Sequence, residues 1–145
     1  MTVRVFHWPK DYPHGHAGHV AIEVAGSAGQ TYLSWWPKGD PGFAGLVGVA
    51  GKPNSKAEDL IAKGMSDAPV VIDGLNEAAM IQFARETREY WSLFGTSCAQ
   101  VAVDSLRRGG GDKYASGMVA WNTVWTPLDV KLYAEAIAAR LKARR

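Results

Sequence analysis

Hydrophobic and polar positions alternate along the first third of the chain and then fall into helical spacing. Val3 and Val5 alternate with more polar neighbours over residues 2–6, which predicts a strand, and residues 19–24 and 31–36 predict two more. Gly26-Ser27-Ala28-Gly29 suits a hairpin, so these strands are expected to be antiparallel neighbours. Residues 38–53 carry Gly39, Gly42, Gly45, Gly48 and Gly51 with Pro41 and Pro53, and read as a long irregular loop, either a lid or substrate wall or an unordered insertion. A short helix is predicted over 55–63 and a short strand over 69–73. Asn76 caps a predicted amphipathic helix from 77 to 90 that carries Ala78, Ile81, Phe83 and Tyr90, and residues 91–95 break the pattern. Thr96 or Ser97 caps the next helix, which ends at Arg107-Arg108 before Gly109, Gly110 and Gly111. Thr126, Pro127 and Asp129 open the last helix, followed by Val130, Tyr133, Ile137 and Leu141. The expected class is α+β, an antiparallel sheet packed with helices in one domain over residues 1–145.

Composition narrows the function. With 145 residues, 47% hydrophobic and 21% charged, the chain lies in the globular range rather than that of a disordered, collagen-like or coiled-coil protein. A net charge of +2, with cations clustered only at residues 140–145, does not suit a nucleic-acid binder. No apolar run approaches the roughly 20 residues of a membrane span, and the first residues lack the blocks of a cleaved leader. The expectation is a protein without a transmembrane segment, cytoplasmic in the producing cell.

The single cysteine, Cys98, cannot form an internal disulfide. It falls in the first turn of a predicted helix, where backbone N–H groups and the helix dipole favour the thiolate and could hold an oxyanion. Its alternative role is that of a small buried apolar side chain among Ala99, Val101 and Ala102. All four histidines, His7, His14, His16 and His19, lie in the first 19 residues. His19 opens a strand and is the favoured base, because a strand holds the imidazole in orientation; His7, His14 and His16 read as solvated loop residues. The run His14-x-His16-x-x-His19 matches no common zinc spacing, and neither a metal nor a cofactor is expected. If Ala25 faces Gln30 across the hairpin, His19 faces Trp36, with Ser34 and Tyr32 on its face. Ser34 is then the expected group orienting the imidazole, and Glu23 lies too far along the strand. Trp35 and Trp36 point to opposite faces, so one is expected to be partly exposed, as a wall of a substrate cleft or as cover for helix packing.

The order of His19 on an early strand, a polar residue on the next strand and Cys98 at a helix N-terminus resembles the circularly permuted papain-like cysteine hydrolases. That group includes the lecithin retinol acyltransferase-like and permuted NlpC-type proteins. The blocks Gly18-His19-Val20-Ala21-Ile22-Glu23, Tyr32-Leu33-Ser34-Trp35-Trp36-Pro37, Ser97-Cys98-Ala99-Gln100-Val101-Ala102 with the triple glycine, and Trp125-Thr126-Pro127-Leu128-Asp129-Val130 look like a papain-like family of bacterial secreted effector or toxin domains. The resemblance implies a thiol hydrolase or acyltransferase with Cys98 as nucleophile and His19 as base. It admits a peptide, peptidoglycan or lipid acyl substrate, and an effector of this kind implies a secretion machine and a cognate immunity protein. It also implies an amide side chain before the cysteine, where this chain has Ser97, and a third site residue of the His, Asn or Asp type, where the strand offers a hydroxyl. The Trp-rich surface leans toward an apolar acyl chain. The competing readings are a peptidoglycan amidase or endopeptidase, and an inactive papain-like binding module in which Cys98 is buried and the two tryptophans form an interface.

Overall fold

The computed structural model describes residues 2–10, 18–119 and 122–145. Strands β1 (Thr2–Trp8), β2 (His19–Gly26) and β3 (Gly29–Leu33) form an antiparallel meander, which β6 (Val70–Ile72) extends beyond β1, giving the order β3-β2-β1-β6. Val3, Val5, Val20, Ile22, Val24 and Ile72 turn one face of this sheet into an apolar floor, as a period of two demands. Helices α3 (Cys98–Arg108) and α5 (Pro127–Ala143) cover that floor with Ala99, Ala102, Val103, Leu106, Val130, Tyr133 and Ile137. The fold class is α+β with antiparallel sheets, as the hydrophobic pattern implied.

The hairpin register has Ala25 opposite Gln30, and the ladder runs to Ile22 opposite Leu33. The predicted strand over 31–36 does not continue as one piece. The chain leaves the first sheet at Ser34, and β4 (Trp35–Pro37) pairs instead with β5 (Val49–Pro53), which pairs in turn with β7 (Tyr90–Trp91). The expected loop over 38–53 is thus partly a strand. Gly51 permits it, because a Cβ there would lie 2.3 Å from Cζ2 of Trp35. The Trp35 ring is buried with Leu33, Phe83 and Val101 in a second small core.

Ser55 caps α1 (Lys56–Lys63) in a capping box with Glu58. Asn76 caps α2 (Glu77–Ala84), which stops six residues short of the predicted end because Tyr90 and Trp91 are drawn into the second sheet. Ser97 caps α3, and Thr126 with Asp129 forms the capping box of α5 behind Pro127. A further short helix, α4 (Asp112–Val119), follows the glycines and has no counterpart in the sequence expectations. The Tyr133 hydroxyl on α5 donates to Asp112 and anchors its first turn. No helix among the described residues is long and apolar enough to cross a membrane.

Candidate active site

The N-terminus of α3 abuts the start of β2, and this contact joins the two residues singled out for chemistry. Ser97 Oγ accepts from Gln100 N at 3.1 Å, which sets the first turn of α3 and leaves Cys98 half-buried at its head. His19 is 2% exposed, its ring between the indoles of Trp8 and Trp36 at centroid distances of 5.3 and 4.5 Å. The imidazole and the Cys98 thiol line one cleft, near enough for each to shift the titration of the other. The ring Nε2–H donates to Ser34 Oγ at 2.9 Å and to Asp59 Oδ2 at 3.2 Å. With Nε2 so engaged, Nδ1 is the nitrogen that serves the thiol.

Ser34 therefore stands beside the imidazole, where the hairpin register put it. The larger partner is a residue that sequence reasoning passed over. Asp59 is fully buried on α1, and three further donors converge on its carboxylate: Tyr32 OH at 2.6 Å, Trp36 Nε1 at 2.7 Å and Asn54 Nδ2 at 3.0 Å. A buried carboxylate persists only when such donors and a cation replace its water. The imidazole thus has a buried Asp carboxylate as partner as well as the hydroxyl that the strand offered. Its position follows from a main-chain contact: Asn54 N donates to Ser34 O at 3.0 Å, so the start of α1 is tied to the residue where the chain changes sheets. In the sequence, Glu58 and Asp59 are adjacent carboxylates on one short helix, and nothing local separates them. Glu58 is spent on the capping box and Asp59 turns inward.

Electrostatics couple the three groups. Burial alone would depress the His19 pKa, but the hydrogen bonds to Asp59 and Cys98 and the charges of both push it up to about 9. Burial alone would raise the Cys98 thiol; the His19 hydrogen bond and charge, with the Val20 and Ala99 backbone N–H groups, bring it below the ordinary thiol value instead. Asp59 is raised by burial and lowered more strongly by His19, Ser34 and Tyr32, so its carboxyl stays well below the usual carboxylate range. Burial and the neighbouring Asp59 push Tyr32 well above an ordinary phenol, which keeps it a donor. The arrangement favours a thiolate–imidazolium pair backed by a carboxylate.

Cys98 lies where two clefts meet. One, of about 360 Å³, is walled by Trp91, Leu93, Phe94, Val124, Trp125 and Pro127. The other, of about 240 Å³, runs past His19, Trp35, Trp36, Pro41 and Lys63. Trp36 is the half-exposed member of its pair and borders the second cleft, yet its Nε1 is committed to Asp59 and Ser34, so it positions the site as well as lining it. Trp35 is buried, donates Nε1 to Tyr90 O at 3.0 Å and reaches the same cleft, so it is not an open wall. His7 is not a solvated loop residue: it is buried on β1, with Nδ1 2.8 Å from Asp67 Oδ2. His14 and His16 lie outside the described residues. Among the described residues no group of three His, Cys, Asp or Glu side chains is placed to hold a metal ion.

Residues 49–145 match a family model described as the IcsB middle domain. The match takes in Asp59 and Cys98 and starts after His19 and Ser34. No curated protein and no solved structure matches the chain.

Proposed function

The chain belongs to the IcsB middle domain family, a bacterial effector-related domain, and from that premise we propose that it is a cysteine-dependent acyl hydrolase or acyltransferase of permuted papain-like architecture. The observation that carries the reading is His19 held between the Cys98 thiol and the buried Asp59 carboxylate. His19 takes the proton from Cys98 Sγ, and the thiolate attacks a carbonyl carbon. The helix-start N–H of Cys98 and a neighbouring donor hold the developing oxyanion. Collapse of the tetrahedral species breaks the bond to the leaving group, which takes the proton from the imidazolium, and a thioester remains on Cys98. Water or another acceptor then gives its proton to His19, attacks the thioester and restores the thiol. Asp59 keeps Nε2 protonated, so that Nδ1 faces the sulfur, and offsets the positive charge that forms on the ring.

The wall of Trp91, Leu93, Phe94, Val124 and Trp125 favours an apolar acyl chain over a peptide or peptidoglycan stem. Incubation with a fatty-acyl p-nitrophenyl ester, followed by intact mass and peptide mapping, tests the reading. The expected result is one acyl adduct on Cys98 that hydroxylamine removes and that Cys98→Ala lacks. Ester cleavage undiminished in Cys98→Ala would refute it. A cysteine that reacts with iodoacetamide only after denaturation would favour the inactive binding module.

A further inference from the structure

His7 and Asp67 form a second imidazole–carboxylate pair, which the chemistry at Cys98 does not use. His7 is 5% exposed. Its Nδ1–H donates to Asp67 Oδ2 at 2.8 Å, and Asp67 N donates back to His7 O at 2.8 Å, so the two residues are locked at two points. Lys131 Nζ on α5 donates to the same Oδ2 at 3.0 Å, and these side-chain hydrogen bonds hold the Asp67 carboxyl below its ordinary value. An ionised carboxylate keeps a proton on Nδ1, so in the neutral ring Nε2 bears the lone pair. Nε2 has no hydrogen-bond partner among the described residues, yet it is not sealed in the core, where the buried side-chain atoms without a partner are Asn54 Oδ1 and Ser105 Oγ. It opens on a cavity of about 220 Å³ that His7 lines together with Pro9, Gly18, Pro127 and Leu128.

This cavity prolongs the larger Cys98 cleft, because Lys10, Gly18, Thr126 and Pro127 border both. Across the β1–β2 ladder His7 faces Val20 and Trp8 faces His19. Successive residues of a strand point to opposite faces, so His7 reaches the cleft from the α5 side of the sheet and His19 from the other. The charges around the cavity are balanced: Lys131 and Asp67 offset one another, Asp129 offsets the positive end of α5, and Lys10 is itself partnered. An ion gains little in such a place. A neutral group that donates to Nε2 gains a hydrogen bond, and Pro9, Pro127 and Leu128 offer an apolar wall to the carbons around it. A hydroxyl on an apolar chain meets both conditions.

We propose that the cavity is a subsite for a hydroxyl carried by the acyl chain, with His7 Nε2 as the acceptor, so that the larger cleft selects a hydroxyacyl chain over a plain one. Asp67 and Lys131 are positioning residues that fix the ring. The inference rests on the acyl reading above, since the cavity prolongs the cleft assigned there to the acyl chain.

Calorimetric titration of the full chain with decanoate and with its 2-, 3- and 10-hydroxy derivatives, which need no turnover to bind, tests it. At least one hydroxy acid is expected to bind roughly 2- to 13-fold more tightly than decanoate, the range of one neutral hydrogen bond. That acid, and not decanoate, is expected to shift the His7 ring Hε1 resonance. His7→Leu is expected to bind the two alike; because His7 is buried, a melting curve accompanies that variant, and the wild-type resonance decides if it does not fold. No preference for any hydroxy acid, an unmoved His7 resonance, or a preference kept in folded His7→Leu overturns the proposal. So does a shift produced by 1-O-octylglycerol but by none of the hydroxy acids, which would put the hydroxyl on the alcohol half of the substrate. Acylation of Cys98 by p-nitrophenyl decanoate is read in the same preparations: an adduct without a hydroxyl preference overturns this inference alone, and hydroxyl-dependent binding at His7 without an adduct overturns the acyl reading alone.

Discussion

Replacing Asp59 with Asn changes the site by one charge and almost no volume, and it separates the two groups that share His19 Nε2. Asp59 is 0% exposed and takes four donors on its two oxygens. An amide in its place presents an NH₂ to at least one of them and can donate to Nε2, which favours the wrong imidazole tautomer. A hydrogen bond to a charged group is worth ~1.5–3 kcal/mol. At 1.36 kcal/mol per decade this is a loss of roughly 10- to 150-fold in kcat/KM. Ser34→Ala removes a neutral partner worth ~0.5–1.5 kcal/mol and is expected to cost roughly 2- to 13-fold. The rate of iodoacetamide labelling against pH gives a readout that needs no substrate. In the wild type the thiolate persists to a pH below the ordinary thiol range, and its imidazolium partner is lost only as pH rises through about 9. Without the carboxylate, the acid limb moves up and the alkaline limb moves down, so the ion-pair window narrows from both sides. A melting curve recorded alongside separates this effect from unfolding. A Ser34→Ala loss equal to or larger than that of Asp59→Asn, or superimposable labelling profiles for wild type and Asp59→Asn, would refute the assignment of Asp59 as the group that orients His19.

Cys98→Ala is expected to abolish turnover and leave a folded protein, because a half-exposed first-turn residue is exchanged for a better helix former. His19→Ala is expected to match it and to return Cys98 labelling to that of an ordinary thiol; residual turnover within tenfold of wild type in either variant counts against the pair. Gly51→Ala is expected to lower the melting temperature by roughly 4–8 °C, about 2 kcal/mol of overpacking, since its Cβ meets the Trp35 ring at 2.3 Å; an unchanged melting temperature argues against that close packing. Because the folded Asp59 carboxyl titrates below its ordinary 3.8, its stabilising contribution is present above that pH and is lost as pH falls below it. Thermal melts between pH 5 and pH 2 are therefore expected to decline less steeply for Asp59→Asn than for the wild type, and parallel declines would contradict the buried-carboxylate account.

Several parts of this architecture are written in short stretches of chain. Ser55, Asn76, Ser97 and Thr126 each accept a hydrogen bond from a backbone N–H within their own first turn, so the side chain and the group it satisfies lie three residues apart in sequence. The Ala25–Gln30 register depends on a two-residue turn, and the ladder it sets runs to Leu33, the residue before Ser34. That is why Cys98 at a helix head and Ser34 beside His19 could be read without coordinates. Other features depend on partners distant in sequence. Residues 49–53 become a strand only because Trp35–Pro37 and Tyr90–Trp91 lie on either side, and the same pairing ends α2 early. The Tyr133 hydroxyl reaches Asp112 from α5. Asp59 is the clearest case. As a residue type on a short charged helix it resembles Glu58, and the direction of α1, tied through Asn54 to Ser34, decides that Asp59 is buried against His19 while Glu58 remains at the cap. Propensity, capping and alternation act over a few residues and were legible in the chain. The identity of the buried carboxylate depended on how two sheets and a helix meet, which no local pattern encodes.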